Sequence, residues 1–215
     1  MEKLNKPHFE ILDERRLSLL PLFKVFKDRF YLAGGTGLAL QLAHRDSIDF
    51  DFFTPDEFNS EELLREVKSI FTQKTIEVVQ AGNLTLNLVV AGDVKISFFR
   101  IKEKLLKPLL DFDHFYVADI EDIACMKIAA LLRAALKDYV DLYYILKLKP
   151  LARIIEDCYQ KYPGFNEMIY LKALLSFDDI NMTQILFKRG WKVEIEEIKK
   201  SFKTIVKEYI KSKTH

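Results

Sequence analysis

Two short segments in the first quarter of the chain carry residue types that could bind a phosphate and a divalent cation. Gly34 and Gly35 follow an apolar stretch and precede a helical pattern, and Asp49 and Asp51 come a few residues later. Glycine lets the backbone approach a bulky anion, and a helix N-terminus offers unpaired N–H groups and a positive dipole end. A strand-to-helix turn alone would also use two glycines. With the acids following, the pattern favours an anion site beside a pair of carboxylates.

The spacing of Asp49 and Asp51 predicts that both carboxylates leave the same face of a strand, about 6–7 Å apart along it. Carboxylates at this spacing can share hard divalent cations, and a bound triphosphate could complete the ligand shell. Such an arrangement suits nucleotidyl transfer. The alternative is a solvent-facing alternation on an edge strand. The neighbouring Phe50, Phe52 and Phe53 indicate a central strand instead, where two acids need compensation.

Three polar residues between the glycines and the acids extend this candidate site. Thr36 is expected to cap a helix over residues 37–43. Arg45 could grip a phosphate through two parallel hydrogen bonds, with Ser47 close to it in sequence. The alternative for Arg45 is a surface ion pair with Asp46, which would contribute little to stability.

A second group of charged residues, Lys127, Asp138 and Asp141, lies in a helical pattern over residues 121–146. If that helix were continuous, both acids would lie within about 40° of the lysine around its axis. Apolar residues share the stripe, so it is expected to face inward. From the residues alone, a buried structural ion pair and a functional site are both open. The length of the pattern predicts one break, near residues 133–137.

The elements that must position these residues follow a mixed α/β pattern. The sequence predicts helices over residues 10–30, 37–43 and 60–71 and strands over 31–33, 48–53, 75–80, 84–91 and 94–100. The last three strands indicate a β-meander. From residue 119 the pattern is helical, and the last helix is expected over about 194–213. We predict an α/β domain over residues 1–110 and a helical domain over residues 111–215.

Composition narrows the class of protein. Hydrophobic residues make up 49% and charged residues 30% of 215 residues, which is typical of a soluble globular protein. The net charge of +1 does not indicate a general nucleic-acid binder. Cys125 and Cys158 lack metal-ligand spacing and are expected to be buried, reduced thiols. No segment reaches the length of a membrane span. We therefore expect a cytoplasmic protein without a membrane partner.

The order of these motifs resembles the AbiEii family. The resemblance rests on Gly-Gly-Thr, a short helix and Arg-x-Ser-x-Asp-x-Asp-Phe-Phe within residues 31–53, and on Lys-x-x-Ala and Lys-Asp-x-x-Asp-Leu within residues 122–146. Members of that family are nucleotidyltransferase-like toxins of the polymerase-β superfamily. The resemblance implies an α/β (α+β) fold, in which a polymerase-β-like mixed sheet with flanking helices is followed by a helical C-terminal region.

The resemblance also implies a chemistry and roles for the residues. The reaction would be Mg²⁺-dependent transfer of a nucleotidyl group from an NTP to a hydroxyl. Asp49 and Asp51 would bind the metal, and Asp141 would help to organise the catalytic site. The triphosphate would be held by Gly34, Gly35, Thr36, Arg45, Ser47 and Lys127. The acceptor would be an RNA end, such as that of a tRNA, and a separately encoded antitoxin would be a partner.

One departure concerns the third carboxylate that the superfamily usually carries on a later strand. The best match is the segment over residues 94–99, which has Ser97 where that acid would be. A third acid commonly activates the incoming hydroxyl, so two other functions stay open. One is a small-molecule nucleotidyltransferase of the antibiotic-modifying kind, and the other is a non-catalytic nucleotide-binding module.

The last predicted helix carries a row of lysines at every fourth position. These are Lys199, Lys203, Lys207 and Lys211. Such a row is usually a solvated helix face, and it could also follow the backbone of an RNA.

Overall fold

The computed structural model describes residues 6–213, which form two compact units. The first unit contains residues up to Lys104 together with Pro108–Asp119, and the second contains Leu105–Lys107 together with the chain from Ile120 onward. The chain therefore changes units three times, near the predicted boundary at residues 110 and 111. Residues 116 and 117 belong to the first unit because they pair with its strand over residues 31 and 32.

A seven-stranded mixed sheet forms the first unit. Its strands are β1 (Tyr31–Leu32), β2 (Phe50–Thr54), β3 (Ile76–Gly82), β4 (Thr85–Val90), β5 (Val94–Arg100), β6 (Leu110–Asp111) and β7 (Tyr116–Val117). Their spatial order is β3-β4-β5-β2-β1-β7-β6. Strands β2 and β5 are parallel, as are β1 and β7, and the other pairs are antiparallel. The predicted mixed sheet, the β3–β5 meander and the central position of β2 are confirmed.

Three α-helices and two 3-10 helices accompany this sheet. They are a 3-10 turn (Phe9–Ile11), α1 (Glu14–Leu19), a 3-10 helix (Leu20–Phe26), α2 (Gly34–Leu42) and α3 (Ser60–Ile70). One face of the sheet is buried against aromatic side chains: the ring centroid of Phe23 lies 4.8 Å from that of Phe50 and 5.0 Å from that of Phe52. Each such buried ring contributes about 1.5–3 kcal/mol. Because side chains alternate along a strand, Asp51 and Phe53 project from the opposite face.

The second unit consists of helices. They are α4 (Ile120–Ala130), a 3-10 turn (Leu131–Arg133), α5 (Leu136–Leu148), α6 (Leu151–Lys161), α7 (Glu167–Leu175) and α8 (Ile195–Ser212). The predicted break is confirmed: Ala134 has a left-handed conformation with φ 50°, which separates α4 from α5. No helix among residues 6–213 combines the length and the apolar character that a membrane crossing requires.

The short segment Leu105–Lys107 joins the helical unit through a buried carboxylate. The backbone N–H groups of Leu106 and Lys107 donate to Asp122, at 3.0–3.1 Å, and Nζ of Lys161 lies 2.6 Å from the same carboxylate. Asp122 is fully buried. Hydrogen bonds and an ion pair therefore compensate its charge, and they hold this segment against the second unit.

Candidate active site

The glycine turn lies directly against an acid of the central strand. Helix α2 begins at Gly34, whose φ of +64° is a conformation that side chains disfavour. A Cβ at Gly34 would lie 3.0 Å from Oδ2 of Asp51. Both the backbone conformation and this close approach require glycine, so the turn and the carboxylate form one site.

The second glycine, Gly35, leaves room for the guanidinium group of Arg45. A Cβ at Gly35 would lie 2.6 Å from Nη2 of Arg45 and 3.1 Å from Oγ of Ser47. Arg45 is buried, and its Nη1 donates to the carbonyl of Asp46 at 3.0 Å. The alternative, in which Arg45 is a surface residue, is wrong because its side chain is buried. A guanidinium beside the start of a helix is suited to holding a phosphate.

The prediction that Thr36 caps α2 is wrong. Thr36 is the third residue of the helix, and the N-cap position belongs to Ala33, which has no capping side chain. The hydroxyl of Thr36 donates instead to the carbonyl of Asp49, and its oxygen lies 2.8 Å from Oγ of Ser47, with which it forms a second hydrogen bond. Thr36 thus fixes the segment that leads into β2, while the helix N-terminus keeps its positive dipole end without a side-chain cap.

The two acids are held differently from the prediction. Strand β2 begins at Phe50, so Asp49 lies just before the strand and only Asp51 lies within it. The carbonyl of Asp51 accepts a hydrogen bond from the N–H of Ala33, at 3.1 Å. Asp51 is therefore fixed by the sheet, whereas Asp49 is positioned through its carbonyl and Thr36. Both side chains are partly exposed.

The residues at this site fit a divalent cation through two carboxylates. Within residues 6–213, no group of three or more His, Cys, Asp or Glu side chains could hold a metal ion. The position beside Asp51 on β5 belongs to Ser97, its register partner. Hard oxygen ligands from Asp49 and Asp51 suit Mg²⁺, which usually keeps water and substrate phosphate as its other ligands.

The second group of charged residues forms a buried network inside the helical unit. Nζ of Lys127 lies 2.7 Å from Asp138 Oδ1 and 2.5 Å from Asp141 Oδ2, and Arg133 lies 2.9 Å from Asp138 Oδ2. Both acids are fully buried and Lys127 is 4% exposed. The contact comes from packing of α4 against α5, because the continuous helix assumed for this prediction is interrupted. Two cations balance two carboxylates here, so the network ties the two helices together.

The tyrosines of α5 serve the packing of the helical unit. Tyr139 donates to the carbonyls of Ala173 and Ser176, at 2.9 and 3.0 Å, and Tyr143 donates to Glu197. Burial and the hydrogen bond to Glu197 raise the pKa of Tyr143 to about 12. These hydroxyls are therefore engaged within the unit.

One polar residue on the open face of the sheet was missed by the sequence analysis. Asn87 of β4 is the register partner of Ser97, which is itself the partner of Asp51. The available signal was the alternation in β4, where Leu86 and Leu88 are buried and Asn87 is not.

The comparisons with known proteins agree with this architecture. The sequence model described as "Nucleotidyl transferase AbiEii toxin, Type IV TA system" matches residues 22–208. The uncharacterized protein aq_aa25 of Aquifex aeolicus (strain VF5) is 33% identical over 222 residues, covering 99% of this chain and all of that protein.

Two solved structures show the same fold. One is JHP933 from Helicobacter pylori, with a TM-score of 0.59 and 16% identity over 96% of this chain and 95% of that one. The other is an H. pylori protein described as a candidate nucleotidyltransferase, with a TM-score of 0.57 and 18% identity over 91% and 95% of the two chains. The fold, the motifs and the long sequence match lead to one conclusion: this chain belongs to the AbiEii family of nucleotidyltransferase toxins of type IV toxin–antitoxin systems.

Proposed function

We propose that this protein is a Mg²⁺-dependent enzyme that transfers a nucleotidyl group from an NTP to a hydroxyl of an RNA end, with tRNA as the first acceptor to test. The observation that carries the proposal is the close approach of Asp51, Arg45 and Ser47 to the glycine turn, which leaves no room for a side chain there. An anion-binding turn that touches both a carboxylate and a guanidinium supports binding of a metal-bound triphosphate.

Each candidate site residue in the first unit has a proposed role. Asp49 and Asp51 hold the cation, which when bound stabilises the negative charge on the reacting and leaving phosphates. Arg45 binds phosphate oxygens through its fork of donors, and Ser47 and the first turn of α2 donate further hydrogen bonds. Because these groups are fixed before the substrate arrives, they orient it at little entropic cost.

The proposed step is an in-line displacement. The acceptor hydroxyl oxygen forms a bond to the α-phosphorus, while the bond from that phosphorus to the bridging oxygen breaks. Pyrophosphate leaves, and the hydroxyl proton passes to solvent. The protein contributes mainly by positioning and electrostatic stabilisation, which is how most of the barrier to phosphoryl transfer is lowered.

We include Lys127 and Asp141 in the proposed site because they match the motif of the family. Their buried ion pair supports a structural role as well, since Lys127 already has two carboxylate partners. We assign Lys127 a contact with the triphosphate and Asp141 the task of holding that lysine in place. The proposed biological setting is a toxin whose partner is a separately encoded antitoxin.

Ser97 favours a second candidate function. A site with two carboxylates could bind an NTP without transferring it, as a nucleotide-binding module would. A small-molecule acceptor of the antibiotic kind is the other enzymatic alternative.

The test is incubation with each labelled NTP, Mg²⁺ and total RNA. Label in RNA, lost when Mg²⁺ is chelated, is the expected result. Label only in added small molecules would favour the other enzyme. NTP binding without any transfer would favour the module.

A further inference from the structure

A row of polar side chains crosses the open face of the sheet, beginning at the proposed metal site. Asp51 of β2 is the register partner of Ser97 on β5, Ser97 is the partner of Asn87 on β4, and Asn87 is the partner of Gln80 on β3. Register partners project from the same face, and neighbouring strands lie about 4.8 Å apart. We call these four residues the polar row, which extends roughly 14 Å from the acid.

Asn87 has one side-chain hydrogen bond and one carbonyl without a donor. Its Nδ2 donates to Oε1 of Gln80 at 3.0 Å. Its Oδ1 is buried, and no donor among the described residues reaches it. An amide carbonyl in that position costs free energy unless a donor is supplied. The side chain as a whole is partly exposed, so a bound molecule can reach the amide.

Two other kinds of residue flank the polar row on the same face. Phe53 and Phe99 are register partners, partly exposed, with ring centroids 5.5 Å apart. On the other side of the row, Lys95 is exposed, two positions before Ser97 along β5. The face therefore offers two partly exposed aromatic rings, uncharged hydrogen-bonding groups and the cation of Lys95, in that order.

We propose that this face, formed by Lys95, Ser97, Phe99 and Asn87, binds the acceptor, and that Asn87 positions its sugar by accepting a hydrogen bond. The inference rests on the proposed transfer reaction. It specifies the acceptor as the terminal nucleotide of a nucleic-acid strand: a planar base on the aromatic rings, sugar hydroxyls on the polar row and a phosphate at Lys95.

The charges of this face argue against the alternative acceptor. Asp51, the proposed metal ligand, and Glu77 of β3, at the outer edge of the sheet, also lie on this face, and the groups between them are neutral or basic. A polycationic aminosugar would need several carboxylates at that place, whereas Ser97, Asn87 and Gln80 are neutral. Lys95 would repel such a molecule. A nucleic-acid strand would instead bring a negatively charged phosphate to Lys95, which attracts it.

The decisive experiment compares Asn87→Ala with Gln73→Ala, an exposed amide outside the sheet. Both variants are assayed for nucleotidyl transfer to unfractionated tRNA, with KM measured separately for tRNA and for the NTP. We expect Asn87→Ala to raise the KM for tRNA by about three- to tenfold, because the variant loses one hydrogen bond to the acceptor. The KM for the NTP should stay unchanged, and Gln73→Ala should match wild type. A purely structural role would shift both constants or neither.

A second measurement does not depend on Asn87→Ala folding. Binding of labelled tRNA is titrated against salt for Lys95→Ala and for Lys74→Ala, an exposed lysine outside the sheet. The association constant for tRNA falls as the salt concentration rises. Loss of one phosphate contact makes the slope of the logarithm of this constant against the logarithm of the salt concentration less steep by about 0.7–0.9. We expect that change for Lys95→Ala alone.

The outcomes separate the two proposals. If wild type binds no NTP and labels no RNA, the proposed function fails and this inference fails with it. If wild type labels tRNA while Asn87→Ala matches Gln73→Ala and Lys95→Ala matches Lys74→Ala, only the acceptor site is overturned. Preferential labelling of an added aminosugar would also overturn it.

Discussion

Gly35 shows how a residue without a side chain controls the position of a cation. A methyl group there would meet Nη2 of Arg45 at 2.6 Å. The guanidinium ends a long side chain, so it would move while the backbone stays. The glycine therefore sets where Arg45 can present its donors.

We expect Gly35→Ala to remain folded and to bind NTP about 10–100-fold more weakly, because a charge-assisted hydrogen bond contributes about 1.5–3 kcal/mol. Calorimetric titration with NTP and Mg²⁺ measures the affinity. Gly34→Ala serves as a contrast: its left-handed backbone, with φ +64°, should cost stability of about 1–2 kcal/mol. Wild-type affinity in Gly35→Ala would show that Arg45 does not hold phosphate.

The acids give a second prediction. We expect Asp49→Ala and Asp51→Ala to abolish metal-dependent NTP binding and to leave the fold intact, since removing carboxylate repulsion does not destabilise the protein without metal. The same titration measures binding, and a thermal melt checks the fold. Asp56→Ala, an exposed acid after β2, is the control. Unchanged affinity in both variants would end the metal hypothesis.

Ser97 gives a third prediction. Because it is the register partner of Asp51, a carboxylate there would lie beside the proposed metal site. We expect Ser97→Asp to raise transfer, since general-base assistance is typically worth about 10²–10⁴-fold. Lys95 on the same face would offset the added charge. A folded variant that is no faster than wild type would show that Ser97 does not occupy the third-acid position, or that this site does not work by such chemistry.

At the scale of elements, the network of Lys127, Asp138 and Asp141 joins α4 to α5 across the left-handed turn at Ala134. Helix propensity alone would not hold two short helices at this break. The buried charges do so, provided that every partner is present.

We expect Lys127→Ala to lower the free energy of unfolding by about 3–5 kcal/mol, because it removes the cation that two buried carboxylates share. Chemical denaturation measures this loss. Lys203→Ala, on an exposed face of α8, should change stability by less than about 0.5 kcal/mol. On folded samples, Lys127→Ala should also weaken NTP binding more than Lys203→Ala does. Equal effects on binding would leave Lys127 with a structural role only.

The contact between α5 and α8 predicts a pH dependence. Burial and the hydrogen bond to Glu197 raise the pKa of Tyr143 to about 12, above its ordinary value of 10.0. The folded state therefore keeps a proton that the unfolded chain loses, so stability falls as pH rises from 10 to 12. We expect Tyr143→Phe to reduce that fall by about 1–2 kcal/mol in denaturation curves. Identical pH profiles would contradict this assignment.

Which elements could be predicted from sequence depended on the range of the interactions that fix them. The β3–β5 meander, the break before α5 and the last helix follow from local alternation, helical period and turn residues. The start of α2 does not, because Gly34 is fixed by the approach of Asp51 from another strand. The hydrogen bonds of Thr36 could not be predicted for the same reason, because its partners, Ser47 and Asp49, lie outside the helix.

At the scale of the whole molecule, charge is nearly balanced, with 33 basic and 32 acidic residues. Any attraction to RNA therefore comes from local groups such as Lys95 and not from the overall field. The division of the chain into two units could not be predicted from composition either. Leu105–Lys107 belong with the helices because Asp122 accepts their N–H groups, a contact that no local pattern reveals.

The last strand of the first unit has a consequence for biosynthesis. Strand β7 pairs with β1, and the first unit contains no residue after Asp119. The glycine turn and both acids can therefore assemble before the helices from Ile120 onward have been translated. Lys127 and Asp141 do not yet exist at that stage. If they are needed for activity, the nascent chain stays inactive at least until residue 141 has been made, so the first unit can fold on the ribosome before it can act.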